Sequence, residues 1–186
     1  MRIKKNIYFV LFSIFLLVAS NIYSDDIHYN KNGISFYYPT DLSEIEVNGY
    51  IAFISNQEGC DFRFKITAPI NELSKEFSFD LLDEKNLQIF LENYAESFLT
   101  SMQNDSVNYK NITINEFDTL MISGHKFTKF VMRYYFDYVG EIMEKCVFTH
   151  MVEGYVFEIT LTYFASEQDS KNKLKKILQS FSFIDY

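Results

Sequence analysis

The stretch HKFTKFVMRYYFDYV, residues 125–139, decides how this chain must fold. Phe130, Val131, Met132, Tyr134, Tyr135 and Phe136 within it are apolar or aromatic at nearly consecutive positions. Side chains on a strand alternate between the two faces of a sheet, so a strand of this composition demands cover above and below. Only Arg133 interrupts the run, and its charge must reach a partner or solvent. The stretch lies among three others with β signals: NYKNITINEF (108–117), EIMEKCVFTHMV (141–152) and YVFEITLTYF (155–164). Turn signals at Ser123-Gly124, Gly140 and Glu153-Gly154 separate them, and sequential strands joined by tight turns run antiparallel.

Outward from this meander the period changes. Between about Asp83 and Met102, Leu87, Phe90, Leu91, Tyr94, Phe98, Leu99 and Met102 recur at three and four, which predicts a long helix with one apolar stripe. Asp80 or Asp83 is placed to cap its first free amides. Near the C-terminus Leu174, Ile177, Leu178 and Phe181 make a second stripe, with Ser166 and Asp169 at capping-box spacing. Toward the N-terminus, IHY and ISFYY flank Asn32-Gly33 as a hairpin, and CDFRFKITA alternates Cys60, Phe62, Phe64 and Ile66 against polar residues. Two helical stripes and doubly covered strands predict an α+β fold. The expected form is an α/β/α sandwich whose central antiparallel sheet is flanked by a long middle helix and a C-terminal helix.

Residues 1–24 read as a secretory signal peptide. Arg2, Lys4 and Lys5 form a basic start, and Ile7 to Ala19 is an apolar run broken only by Ser13. As a helix this run spans roughly 20 Å, short of the roughly 30 Å hydrocarbon core of a bilayer. Cleavage after Ser20 or after Ser24 fits the small-residue preference. A lipoprotein signal would need a cysteine after Leu17-Val-Ala-Ser20, where this chain has Asn21, so the cleaved product is expected free of lipid and of stable membrane insertion, in the periplasm or secreted. Residues 25–186 then form a single globular domain.

The 186-residue chain holds 17 Lys and Arg against 25 Asp and Glu. Three of those cations and none of the acids fall in residues 1–24, which leaves the mature segment at −11. Such a balance argues against nucleic acid and anionic membranes as partners. Export would permit a disulfide between Cys60 and Cys146. Cys60 also shares a strand face with Phe62, Phe64 and Ile66, where a buried free thiol packs equally well.

No catalytic residues and no cofactor are expected, because the chain has no G-x-S-x-G turn, no Gly-rich phosphate loop and no C-x-x-C pair. His28, His125 and His150 stand on separate elements without a ligand-spaced motif, so no metal site is expected either. Glu141 with Glu144, and Glu153 with Glu158, are acid pairs of the kind that serve proton transfer when they share a cleft. Arg133 admits two readings. One is an ion pair with Glu158 or Glu144; the other is an anion-binding group in a pocket with Tyr135, which makes Arg133, Tyr135 and Glu158 the candidate ligand residues. Lys171, Lys173, Lys175 and Lys176 crowd the last helix as a solvated face or as a dock for an acidic partner.

The hairpin GISFYYP (33–39), the long helix after the early strands, the meander entered through Ser123-Gly-His125, the YVFEITLTYF strand and the closing ILQSFSF (177–183) together resemble the PsbP-like superfamily in order and spacing. The resemblance covers about Ile27 to Phe183. It implies an α/β/α sandwich and an exported accessory or ligand-binding role, with an unidentified protein or small molecule as partner. Its matching positions are turn glycines and core apolar residues, so it carries no functional residue across, and Asn21 departs from the lipid-bearing cysteine of many bacterial relatives. The expected function is therefore a non-enzymatic binding or accessory protein of the bacterial cell envelope. The alternatives are an envelope hydrolase with an unrecognised site and a secreted factor acting on other cells. Intact-mass analysis of the protein recovered from its host is expected to give a chain starting at Asp25 or Asn21; a product retaining Met1 would refute the signal peptide.

Overall fold

The computed structural model describes residues 26–31, 33–47, 50–55, 60–67, 77–104 and 108–184. The predicted signal peptide and both cleavage positions lie outside them. Chain order runs β1 (Asp26–Lys31), β2 (Ile34–Pro39), β3 (Ser43–Val47), β4 (Tyr50–Ser55), β5 (Cys60–Thr67), a 3-10 turn (Phe79–Leu81) and α1 (Glu84–Asn104). It continues through β6 (Tyr109–Ile122), β7 (His125–Phe136), β8 (Glu141–Val152), β9 (Tyr155–Phe164), α2 (Gln168–Ser180) and β10 (Ser182–Phe183). The architecture is α+β and mostly antiparallel sheet.

Seven strands form the large sheet in the order β3-β4-β5-β9-β8-β7-β6. Two meanders, β3 to β5 and β6 to β9, are fused where β5 pairs antiparallel with β9. The expected hairpin forms, with Gly33 at φ 75° in the left-handed region. It does not join the large sheet. It builds a separate three-stranded sheet, β1-β2-β10, closed by the C-terminal residues. β3 is a further strand that the pattern did not announce, since SEIEV carries Glu44 and Glu46 and pairs only along one edge.

The doubly apolar stretch is buried on both faces as far as Val131; beyond it Met132 and Tyr134 stay buried on one face, while Arg133 is exposed and Tyr135 half-buried on the other. Phe127 and Val131 of β7 share a cluster with Cys146 and Phe148 of β8, and with Phe157, Ile159, Leu161 and Tyr163 of β9. Leu174, Ile177 and Phe181 from α2 and its C-terminal end, with Ile34, Phe36 and Tyr38 of β2, complete it. The intervening Phe130, Met132 and Tyr134 join a second cluster with Met143 and Val147, covered by Leu91, Ala95 and Met102 of α1.

Helix ends follow local hydrogen bonding. Asp83 caps α1, its Oδ1 accepting the Asn86 amide at 2.8 Å. The capping box read at Ser166 and Asp169 does not form: α2 begins at Gln168 with Glu167 at the cap position and no side-chain cap bond. Asp169 still lies in the first turn, where a carboxylate complements the helix dipole. β6, the far edge strand, has register shifts between Lys110 and Thr113 and between Asn115 and Phe117, with Asn111 and Glu116 at positive φ.

Phe36 is fully buried and packs its ring against Tyr29, Phe53 and Phe62 at centroid distances of 4.9, 5.0 and 5.1 Å. Phe36→Ala is expected to destabilise by ~3–5 kcal/mol in urea unfolding, whereas Tyr138→Ala, at an 85% exposed position, should change the midpoint little.

Candidate functional site

The face of the sheet that carries α2 is incompletely filled. Between α2 and strands β6 to β9 lies a groove of about 470 Å³. Val131, Cys146, Phe148, Leu161 and Tyr163 line it from the sheet, and Leu178 from α2. Each sheet residue points there by strand alternation: odd positions of β7 and β9 and even positions of β8 share this face. Charged residues stand around the apolar lining. Lys129 pairs with Glu116 at 3.1 Å and Lys171 with Glu144 at 3.3 Å, while Lys175 and Asp118 complete the set without an ion pair among the described residues. Lys171 also lies over the Tyr163 ring at 5.4 Å. At the bottom, Cys146 Sγ and Tyr163 OH are hydrogen-bonded at 3.3 Å. Burial pushes the Cys146 thiol pKa up, and burial with the Cys146 contact pushes the Tyr163 hydroxyl far up, so both stay neutral.

The residues singled out from sequence are distributed unevenly over this geometry. Arg133 is exposed. Its cross-strand neighbour is Glu144, whose ion pair is nevertheless with Lys171. With Tyr135, Arg133 lines a shallow depression of about 170 Å³, smaller than a typical small-molecule pocket. Glu158 does not join them. It sits two strands away on β9 and, being an even position, faces α1, where its Oε2 accepts from Tyr94 OH and its Oε1 from Thr160 Oγ1 at 3.5 Å. Burial and this carboxylate hold the Tyr94 hydroxyl far above its ordinary pKa. Glu158 therefore fastens α1 to the sheet. The acid pairs also separate: Glu141 is exposed at the start of β8, Glu144 flanks the groove, Glu153 occupies the β8–β9 turn, and Glu158 lies under α1.

Among the lysines, Lys171 and Lys173 are engaged by Glu144 and Asp41, and Lys175 borders the groove. Cys60 and Cys146 are both buried, and no disulfide joins them to each other. The expected alternative of a disulfide is corrected by register: β9 lies between β5 and β8. Two strand spacings amount to roughly 10 Å, beyond the roughly 7 Å that a disulfide spans.

The histidines are less dispersed than their elements imply. His28 remains apart on β1, bonded to Ser35 Oγ and stacked on Tyr37. His125 and His150 lie with ring centroids 5.1 Å apart, and Asp80 joins them. The hairpin register explains the pair: Thr128 faces Thr149 across β7–β8, which carries His150 to within two positions of His125. That much was readable from the Gly140 turn. The approach of Asp80 from the 3-10 turn was not, because no local pattern encodes it.

With this topology the chain has a PsbP-like fold. Its solved counterparts include PsbP (CyanoP) from Synechocystis sp. PCC 6803, at a TM-score of 0.63 and 12% identity over 86% of this chain and 93% of that one. LpqN of Mycobacterium tuberculosis, described as involved in cell envelope biogenesis, aligns at a TM-score of 0.50 and 11% identity over 86% and 90% of the two chains. A Bacteroides thetaiotaomicron protein aligns at 0.53 and 13% identity over 84% of this chain and 47% of its own, so the present chain spans about half of that structure. No protein-family model and no curated protein matches the sequence.

Thiol titration is expected to find both cysteines slow to react in the native protein and two free thiols after unfolding, with identical mobility on reducing and non-reducing gels. A single species lacking free thiols would contradict the register.

Proposed function

We propose that this chain is an exported, non-enzymatic binding or accessory protein of the bacterial cell envelope, and that the groove beside α2 is its binding site for a small amphipathic molecule. The observation that carries the reading is the groove itself: about 470 Å³ with an apolar lining and charged neighbours. This size and mixture are typical of sites that hold an apolar body and orient it by a few polar contacts. With Lys129 and Lys171 engaged by Glu116 and Glu144, Lys175 and Asp118 remain to meet the polar end of a ligand. The likeness to LpqN, involved in cell envelope biogenesis, and to PsbP supports an envelope setting and an accessory role. So does the signal-like segment at 1–24. No helix among the described residues is long and apolar enough to cross a membrane. The finer reading of the architecture, an α/β/α sandwich, rests on the two apolar clusters that α1 and α2 cover on alternating positions of β7.

Leu178 lies on α2 at the groove, so Leu178→Trp should fill it from the helix side while every sheet residue stays unchanged. Titration with a fluorescent long-chain fatty acid is expected to saturate at one probe per mature chain. Leu178→Trp should weaken it about tenfold or more, and Lys175→Glu by a smaller factor. Probe binding that ignores both substitutions would sink the groove as the site.

A further inference from the structure

The end of the sheet formed by the turns at 123–124 and 153–154 carries a cluster with no part in the groove. Asp80, His125 and His150 each offer a ligand atom, and these atoms lie within 4.8 Å of one another. Around a zinc-sized ion, nitrogen and oxygen ligands sit at roughly 2.0–2.2 Å and hence roughly 3.3 Å apart. Small side-chain rotations therefore suffice to bring the three onto one centre. We propose that Asp80, His125 and His150 bind one divalent transition-metal ion of the zinc type.

The strongest support is the state of His150. Its side chain is 1% exposed, and its Nδ1 lies 2.8 Å from the Lys126 carbonyl. A carbonyl oxygen only accepts, so Nδ1 carries the proton and Nε2 the lone pair. That Nε2 is buried with no hydrogen-bond partner among the described residues. A buried acceptor left without a partner is disfavoured, and an ion would satisfy it. The arrangement is also the one that metal-bound histidines show, in which the second ring nitrogen donates to a backbone carbonyl and fixes both tautomer and orientation.

The remaining ligands are held with comparable care. Asp80 sits in the 3-10 turn, where its amide donates to Ser78 Oγ. The turn is anchored by fully buried Phe79, whose ring packs edge-on to His150 at 6.1 Å, and by Gly154 N–H donating to Phe77 O at 3.0 Å. His125 packs edge-on to Phe183 at 4.8 Å. Asp80 is exposed and His125 half-buried, so water can complete the coordination. Two imidazoles and one carboxylate suit zinc, iron, nickel or copper, whereas calcium and magnesium prefer oxygen alone. An ion here would tie the turn before α1 to the sheet end across β7 and β8.

The test uses the untagged mature chain, stripped with chelator and titrated calorimetrically with Zn²⁺. One Zn²⁺ per chain is expected, Co²⁺ loaded into the stripped protein should give visible absorption that added Zn²⁺ abolishes, and excess Ca²⁺ should have no effect. Asp80→Asn and His125→Gln should each weaken Zn²⁺ at least about tenfold while leaving the circular dichroism unchanged; His28→Gln should bind as the parent does. Buried His150 is followed in place, through the shift of its Nε2 resonance in long-range ¹H–¹⁵N spectra. Absence of stoichiometric binding, full-strength binding in either Asp80→Asn or His125→Gln, loss of binding in His28→Gln, or an unmoved His150 Nε2 signal would each overturn the site.

Discussion

The antiparallel pairing of β5 with β9 is the contact on which the other arrangements depend. It joins residues about a hundred positions apart, from Asp61 with Thr162 to Thr67 with Val156, so its loop-closure entropy must be met before any neighbouring contact rewards it. Its register is strongly specified. Phe62 meets Leu161, Phe64 meets Ile159 and Ile66 meets Phe157 on the face toward α2, while Asp61, Arg63 and Lys65 meet Thr162, Thr160 and Glu158 on the other. A slip of one residue would turn the charged set into the aromatic core. The same register sets β9 between the two cysteines and turns Glu158 toward α1.

The two faces then take different tasks. On the α1 face polar groups are fastened internally, as Tyr94 to Glu158, and Lys145, its pKa lowered by burial, lies 5.8 Å from the Phe98 ring. On the α2 face the helix leaves a groove whose charges are only partly paired. The ledge of Phe79, Asp80 and Leu81 packs near the turn ends of β7 and β8, at a distance in the chain from every residue lining that groove.

Much of the architecture was legible because it rests on patterns longer than one turn. The consecutive apolar positions at 130–136 called for cover on both faces; the stripe from Leu87 lies over Phe130, Met132 and Tyr134, while on the other face Val131 borders the groove and Arg133 is exposed. What escaped was short or non-local. β3 alternates Ile45 and Val47 against Glu44 and Glu46 over only five residues, too short to stand out, β10 has two residues and no period at all, and α2 starts at Gln168 without the side-chain cap that Ser166 and Asp169 suggested. The site was less legible still. Arg133 drew notice as a charge in an apolar run, yet it lies at an exposed position near the sheet edge where no burial has to be compensated. The groove residues looked like ordinary core, because Val131, Cys146 and Leu161 differ from their neighbours only in what α2 fails to cover.

The small sheet has a consequence for the order in which the molecule is completed. β2 is finished by β10 through Ser35 with Ser182 and Ile34 with Phe183, and Tyr37 N–H donates to Ser180 Oγ. The second strand of the domain thus waits for a partner 147 positions further along the chain. A ribosome adding roughly 5–20 residues per second needs on the order of 10–30 s to deliver it. Over that interval the aromatic face of β2, with Phe36 and Tyr38, has no α2 to pack against. β2 is therefore held from its final form by connectivity alone until residues 182–183 have been made.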